Sequence, residues 1–113
     1  MQPKQSISKL LNETEAYTKG DPDHFRDMPE NEQKAALDWI KTNIYPGKKV
    51  WESRSSYGLK HDFEHKSRIY MTNNQFKEAM LLCGFKPVDE TELNWYYRID
   101  RKSPICVEYR KRW

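Results

Sequence analysis

The sequence predicts a small α+β domain, and three observations lead to that prediction. A helix signal with capping residues at both ends runs from Thr72 to Gly84. Strand-like alternation of aromatic and polar residues follows it, from Trp95 to Ile99. The chain has 113 residues, which suffice for one hydrophobic core but leave no room for a separate catalytic domain.

The composition indicates a polar chain whose small core is built on large side chains. Hydrophobic residues make up 36% of the sequence and charged residues 33%, and four tryptophans are present. Each aromatic ring removes a large area from water, so a few rings can supply the burial. The sequence near Met1 contains no apolar run, so neither a signal peptide nor a membrane span is predicted. We expect a cytoplasmic protein without membrane contact.

The cysteines, Cys83 and Cys106, predict neither a disulfide framework nor a zinc site, because they lack C-x-x-C spacing. Cys83 falls on the apolar face of a predicted helix, as a small core residue does. No G-x-S-x-G motif or glycine-rich phosphate loop occurs. We therefore predict no enzymatic activity and no cofactor.

The N-terminal part of the chain predicts a short helix. Ile7, Leu10 and Leu11 share one helical face, and Gly20 breaks the pattern in the loop that follows. Residues 1–26 are predicted as an N-terminal helical extension or arm.

The predicted main domain covers residues 27–104 and opens with a second helix. Asp27 is expected to cap this helix, with Pro29 in its first turn and Glu30 at the capping-box position. The apolar face of the helix comprises Leu37, Ile40 and Ile44. "KKVWES" then predicts a short strand or an extended link.

A further short helix is expected to start at Ser55 or Ser56 and to bury Leu59 and Phe63, which lie one turn apart. "RIYM" predicts a very short strand after it.

The next helix has the clearest local signals. Thr72 and Gln75 form a capping box, and Gly84 stands where a left-handed C-cap is needed. Its apolar face comprises Phe76, Ala79, Met80 and Cys83.

A hairpin is predicted to follow, with a first strand at residues 85–88, a polar loop at 89–92 and a second strand at 95–99. Pro87 indicates that the first strand is an edge strand. Residues 105–113 are predicted as a basic C-terminal strand or tail. Its alternating apolar residues are Ile105, Val107 and Tyr109.

This order of elements resembles that of winged helix-turn-helix domains, which have three helices plus a two-stranded β-hairpin wing. In such domains one helix enters a groove of DNA. The resemblance covers about residues 28–100. The predicted fold is therefore winged-helix-like with an N-terminal helical extension.

The motif H-D-x-x-H at His61, Asp62 and His65 offers two interpretations. One is a zinc hydrolase site with Asp62 as the base, which needs a third protein ligand. The other is a helix that carries two surface histidines. We favour the second, because the only other histidine, His24, lies in a loop predicted to be distant.

The charge distribution favours contact with phosphates or with an acidic partner. The net charge is only +3, but residues 98–113 hold more basic than acidic side chains. The predicted nucleic-acid-binding residues are Asn73, Asn74, Lys77, Lys86, Tyr96, Arg98, Arg101 and Lys102, with Tyr57, Lys60 and His61 as additional contacts. Asparagine and lysine can reach base edges and phosphates, and a tyrosine can stack on a base.

The motifs "SSYGLKHDFEH", "YMTNNQFKEAMLLCGF" and "LNWYYRIDRKSP", taken in order, resemble a family of small, largely uncharacterised proteins from prophages and other mobile elements of Gram-positive bacteria. The shared frame covers about Ser55 to Pro104. The chain also resembles winged-helix, single-strand-binding accessory proteins of staphylococcal cassette replication modules. This resemblance implies DNA, single- or double-stranded, and a polymerase, primase or helicase of the same element as partners.

The function predicted from the sequence is a DNA-binding accessory protein that assists replication of a phage or mobile element. The alternative is a phage-encoded protein-interaction module, an adaptor or inhibitor that does not bind DNA. That alternative is favoured by the weak net charge, by Glu78 on the predicted recognition face, and by Leu81 and Leu82, which are predicted to be exposed.

Overall fold

The computed structural model describes the backbone of residues 4–112 and the side chains of residues 9–112. Its elements, in order, are α1 (Lys4–Tyr17), a 3-10 turn (Phe25–Asp27), α2 (Glu30–Asn43), β1 (Pro46–Trp51), α3 (Ser56–Ser67), α4 (Asn73–Leu82), β2 (Tyr97–Ile99) and α5 (Pro104–Lys111). The predicted α+β class is confirmed. The side chain of Ile7, on the predicted apolar face of the first helix, lies outside the described residues. No helix within residues 4–112 has the length and apolar character that crossing a bilayer requires.

Helix α4 lies at the centre of the fold and contacts α1, the 3-10 turn, α2 and α3. Its predicted capping box is confirmed: the Thr72 hydroxyl accepts the Gln75 N–H at 3.1 Å, and the Gln75 side chain accepts the Thr72 N–H at 2.9 Å. Gly84 has φ +91°, the left-handed conformation predicted for the end of this helix.

Aromatic rings are prominent in the core, beside aliphatic and methionine side chains, in line with the composition. The predicted inward residues Trp95, Tyr97 and Ile99 are buried, and so are Leu59 and Phe63 on α3. Rings from different elements meet edge to face inside the core; the Trp39 centroid, for example, lies 5.6 Å from that of Phe63.

The sheet is a two-stranded antiparallel ribbon of β1 and β2, which are distant in sequence. The predicted hairpin is wrong in its pairing, because residues 85–88 form no strand and β1 is the ladder partner of β2. One hydrogen bond, from the Val88 N–H to the Tyr96 carbonyl at 2.9 Å, still joins the two expected wing segments. The predicted strand at "RIYM" is likewise absent, since residues 69–71 are irregular.

The predicted C-terminal strand or tail is in fact helix α5. Pro104 occupies its first turn, where a missing N–H costs nothing, and Ile105 and Cys106 are buried on its inner face. Tyr109 packs edge to face against Trp51 at 5.6 Å between centroids, which fixes α5 to the ribbon.

The predicted helix cap at Asp27 is also wrong, whereas α3 starts at Ser56 with Ser55 as its N-cap residue, as predicted. α2 begins at Glu30 with Pro29 before it, and the Asp27 carboxylate accepts the His24 N–H at 3.2 Å within the 3-10 turn. Ser55 precedes α3 without a side-chain capping bond. The Ser56 hydroxyl is buried and accepts the Trp95 N–H at 3.0 Å, which ties α3 to the chain entering β2.

Candidate nucleic-acid interface

The face of α4 that the sequence predicts as a recognition surface is covered in the structure. Asn74, Lys77 and Glu78 are buried, because α1 and the 3-10 turn pack over them. The expectation that these side chains are exposed is therefore wrong. The physical reason is that their polar groups find partners in the N-terminal segment.

Glu78 is the centre of that contact and is 0% exposed. One carboxylate oxygen, Oε2, accepts hydrogen bonds from the Thr18 hydroxyl at 2.5 Å, from His24 Nδ1 at 2.7 Å and from Asn74 Nδ2 at 3.1 Å. The other, Oε1, accepts the Phe25 N–H at 2.7 Å. The bond to Glu78 raises the pKa of His24 above its usual value. A buried carboxylate with four donors thus holds the N-terminal segment on α4.

The other predicted residues of α4 are also held by internal contacts. Asn73 accepts the Ser56 hydroxyl at 2.9 Å and donates to the Asn94 side chain at 3.0 Å. The Lys77 ammonium lies 4.6 Å from the Trp95 ring centroid, and burial lowers the pKa of Lys77. In this conformation α4 offers no free face of side chains to a DNA groove.

A different surface combines exposed cations at one end of the ribbon, which we call the basic end. It comprises Lys48, Lys49, Arg98, Arg101 and Lys102, all of which are exposed. Most of these cations border a cleft of about 570 Å³ between β1 and the turn after β2. The sequence predicted Arg98, Arg101 and Lys102 as DNA contacts, and the structure adds Lys48 and Lys49.

The basic end is formed by a bulge in β1. In the ladder Val50 is opposite Arg98 and Pro46 is opposite Ile99, so residues 47–49 have no partner in β2. Such extra residues bend a strand and redirect its side chains. A Cβ on Gly47 would lie 2.6 Å from the carbonyl carbon of Ile99, so the chains approach this closely only with glycine at that position.

The turn on the other side of the cleft is fixed by hydrogen bonds. The Asp100 N–H donates to the Tyr45 carbonyl at 2.9 Å, and the Tyr45 N–H donates to the Ser103 hydroxyl at 2.9 Å. The Asp100 carboxylate accepts the Lys102 N–H at 2.8 Å. These bonds position Arg101 and Lys102 next to the bulge.

The cations of the basic end have no ion-pair partner among the described residues. Cations elsewhere in the described residues, in contrast, are often paired, for example Lys34 with Asp38, Arg54 with Asp62 and Lys66 with Glu108. Asp100 is the acidic residue that lines the cleft, and its carboxylate is bonded to the turn itself. The basic end therefore has an uncompensated positive charge that suits an anionic ligand.

Tyr96 and Lys86 lie away from the basic end. Tyr96 borders a second cleft, of about 450 Å³, which we call the carboxylate cleft. It is lined by Val50, Glu52, Val88, Asp89, Glu92 and Tyr96. The Thr91 hydroxyl and N–H hold the pKa of Asp89 below its usual value, so that carboxylate is charged. Phosphates would be repelled there, and Lys86 borders another cleft, together with Tyr17 and Glu90.

The additional contacts predicted on α3 have mixed positions. Tyr57 and His61 are exposed, with ring centroids 4.4 Å apart, whereas Lys60 is buried and pairs with Glu64 at 3.0 Å. Asp62 of the H-D-x-x-H motif does not face the histidines as a catalytic base, because its carboxylate binds Arg54 at 2.8 Å.

Glu15, His24 and Glu78 form the group of potential metal ligands that the described residues bring together. The donors of Thr18, Asn74 and Phe25 already occupy the oxygens of Glu78, and Arg26 binds Glu15. The chemistry of this group is that of a hydrogen-bonded ion pair.

Comparison of the chain with protein-family models, with curated proteins and with solved structures finds no match. The resemblance to proteins of prophages and mobile elements therefore stays a prediction from sequence motifs.

Proposed function

We propose that the protein is a DNA-binding accessory protein that holds the phosphate backbone at the basic end of its ribbon. The observation that carries the proposal is the group of exposed cations without ion-pair partners around the cleft at Gly47 and Asp100. Lysine and arginine bind phosphates and release condensed counterions, which supplies most of the sequence-independent affinity for nucleic acid.

The element order α2, β1, α3, α4, β2 supports a winged-helix-like interpretation, with the ribbon in the place of the wing. In such a protein, the wing lies along the DNA backbone. Because α4 is covered, binding through the ribbon alone would position the protein on DNA without base-specific contacts from that helix. An accessory role in replication, beside a polymerase, primase or helicase of a phage or mobile element, follows from the motif resemblance.

A salt series of DNA binding tests this proposal directly. Fluorescence anisotropy should show an affinity that falls linearly with salt on a log-log scale, with a slope of about −0.9 for each phosphate neutralised on duplex DNA. Replacing Lys48 and Lys49 together by glutamine should weaken binding. The magnitude of the slope should then fall by about 1 for each phosphate that the variant no longer neutralises.

Lys34→Gln is the matched control, because Lys34 is a surface lysine on α2 that is paired with Asp38. It should leave both the affinity and the slope unchanged. A loss in binding free energy half as large in the control as in the ribbon variant, in proportion to one charge removed instead of two, would mean that binding depends on net charge alone and not on the basic end. No binding at low salt would refute the proposed function.

The carboxylate cleft favours a second candidate function, a protein-interaction module. Its lining combines Val50, Val88 and Tyr96 with three carboxylates, a combination that suits a lysine or arginine side chain of a protein partner. A partner that co-purifies after nuclease treatment and is lost in Glu52→Gln/Glu92→Gln, together with absent DNA binding, would favour this alternative.

A further inference from the structure

Two exposed tyrosines flank a single lysine where α3 and the loop before α4 come together. Tyr57 is 50% exposed and Tyr70 is 74% exposed, which are high values for large rings. The Lys60 ammonium lies 5.2 Å from the Tyr57 ring centroid and 5.7 Å from the Tyr70 ring centroid. We call these three residues the tyrosine platform.

The platform is held in place by contacts of Lys60, Glu64 and His61. Lys60 is only 5% exposed, and its ammonium binds Glu64 Oε1 at 3.0 Å. The other oxygen of Glu64 accepts the Met71 N–H at 3.0 Å, which fixes the backbone next to Tyr70. His61 packs against the Tyr57 ring at 4.4 Å. These contacts restrain the Tyr57 ring and the backbone next to Tyr70, which lowers the entropy that a ligand must remove when it contacts the platform.

The exposed residues of the chain segment that carries the platform include no acidic side chain. Between residues 54 and 71 the exposed side chains are Tyr57, His61, His65, Lys66, Arg68 and Tyr70. The acidic residues of that segment, Asp62 and Glu64, are turned inward and paired with Arg54 and Lys60. The surface thus combines ring faces with cationic side chains, the combination that single-stranded nucleic acids bind.

We propose that Tyr57 and Tyr70 form a stacking site for unpaired nucleobases, so that the nucleic acid bound by this protein is single-stranded. Each base has an apolar ring face that can stack on a tyrosine, whereas the faces of bases within a duplex are covered by their neighbours. The inference rests on the proposed function, because the basic end supplies the phosphate contacts and the platform adds the dependence on bases. α3 begins beside the ribbon, with the Ser56 N–H donating to the Trp95 carbonyl at 2.7 Å.

The test uses the full chain and three labelled probes of equal length: a single-stranded DNA oligonucleotide, an abasic strand with the same phosphates, and a duplex. The variants are Tyr57→Leu/Tyr70→Leu, which removes the rings, and Tyr57→Phe/Tyr70→Phe, which keeps them. Tyr17→Leu is the control, since Tyr17 is an exposed tyrosine on α1 outside the platform. Circular dichroism checks that each variant is folded.

We expect the wild-type protein to bind the single strand more tightly than the abasic strand. The leucine variant should lose roughly tenfold or more in affinity for the single strand. Its affinity for the abasic strand and its salt dependence should stay unchanged. The phenylalanine variant should retain most of the binding, and the Tyr17→Leu control should match the wild type.

Equal wild-type binding of the intact and abasic strands would overturn the platform while leaving the proposed function in place. So would an equal loss on both strands in the leucine variant, or preferred binding of the duplex. Absence of binding to all three probes at low salt would instead overturn the proposed function, and the inference with it.

Discussion

Replacing Glu78 by glutamine should strongly destabilise the protein, because this carboxylate is fully buried and serves four donors. An amide has one oxygen. With that oxygen in the place of Oε2, which serves three donors, the Phe25 N–H, which is bonded at 2.7 Å in the native protein, is left facing an NH₂ group. A buried donor without a partner costs about 1–3 kcal/mol. The bonds to the remaining oxygen also lose their ionic character, at about 1 kcal/mol each.

The expected loss in the free energy of unfolding is therefore about 4–6 kcal/mol, which overlaps the range of about 3–5 kcal/mol for breaking a buried ion pair. That loss is a large part of the total stability of a small domain, about 5–15 kcal/mol. Urea unfolding followed by tryptophan fluorescence would measure it, with Glu90→Gln as the control at an exposed glutamate. A lower m value in Glu78→Gln would indicate that α1 and the 3-10 turn have left α4 in the native state. A loss below about 1 kcal/mol would refute the reasoning, since it would mean that this carboxylate does not hold the N-terminal segment.

Three further outcomes follow from single positions. Gly47→Ala should lower the free energy of unfolding in urea by about 1–3 kcal/mol and weaken DNA binding, because the new methyl group overlaps the Asp100 backbone. An unchanged affinity for DNA would mean that the bulge is not needed for binding. Since the pKa of His24 is raised in the folded state, its ion pair with Glu78 stabilises the protein most below pH 6.5. The stability gap between wild type and His24→Asn should therefore shrink as the pH rises through the folded-state pKa, and a gap that grows with pH would contradict this sign. Tyr97→Phe should raise the free energy of unfolding by about 1 kcal/mol, because the buried hydroxyl has no hydrogen-bond partner among the described residues; a clear loss would reveal a partner.

The parts of the fold that depend on neighbouring residues could be predicted from the sequence. The capping box of Thr72 and Gln75 and the left-handed Gly84 are set by contacts within a few residues, and both are confirmed. The alternation that places Trp95 and Tyr97 inside the core is equally local, because it follows from the two-residue period of a strand.

The errors concern contacts between residues far apart in the chain. Asn74 and Glu78 are polar residues on a helix, which usually indicates a solvated face, but their partners come from residues 18–25 and cannot be identified by spacing. The pairing of β2 with β1 spans about half the chain, whereas a local hairpin was predicted. Ser103-Pro104 is a helix-start signal for α5, but the apolar residues that follow it alternate as in a strand.

The candidate site was predicted only in part for the same reason. Arg98, Arg101 and Lys102 follow one another closely in sequence, so their grouping was visible as a basic stretch. Lys48 and Lys49 join them only through the ribbon, and the turn signal of Pro46 and Gly47 before two lysines was the one hint available.

The bulge in β1 separates the adaptable part of the surface from the part that maintains the fold. Lys48 and Lys49 have no ladder partner and are exposed, so substitutions there should change the folding free energy by no more than about 0.5 kcal/mol. Gly47, directly before them, has no such freedom. Substitutions at these two adjacent positions could thus change the charge at this end of the ribbon, and with it the choice of ligand. No compensating change in the core would be needed.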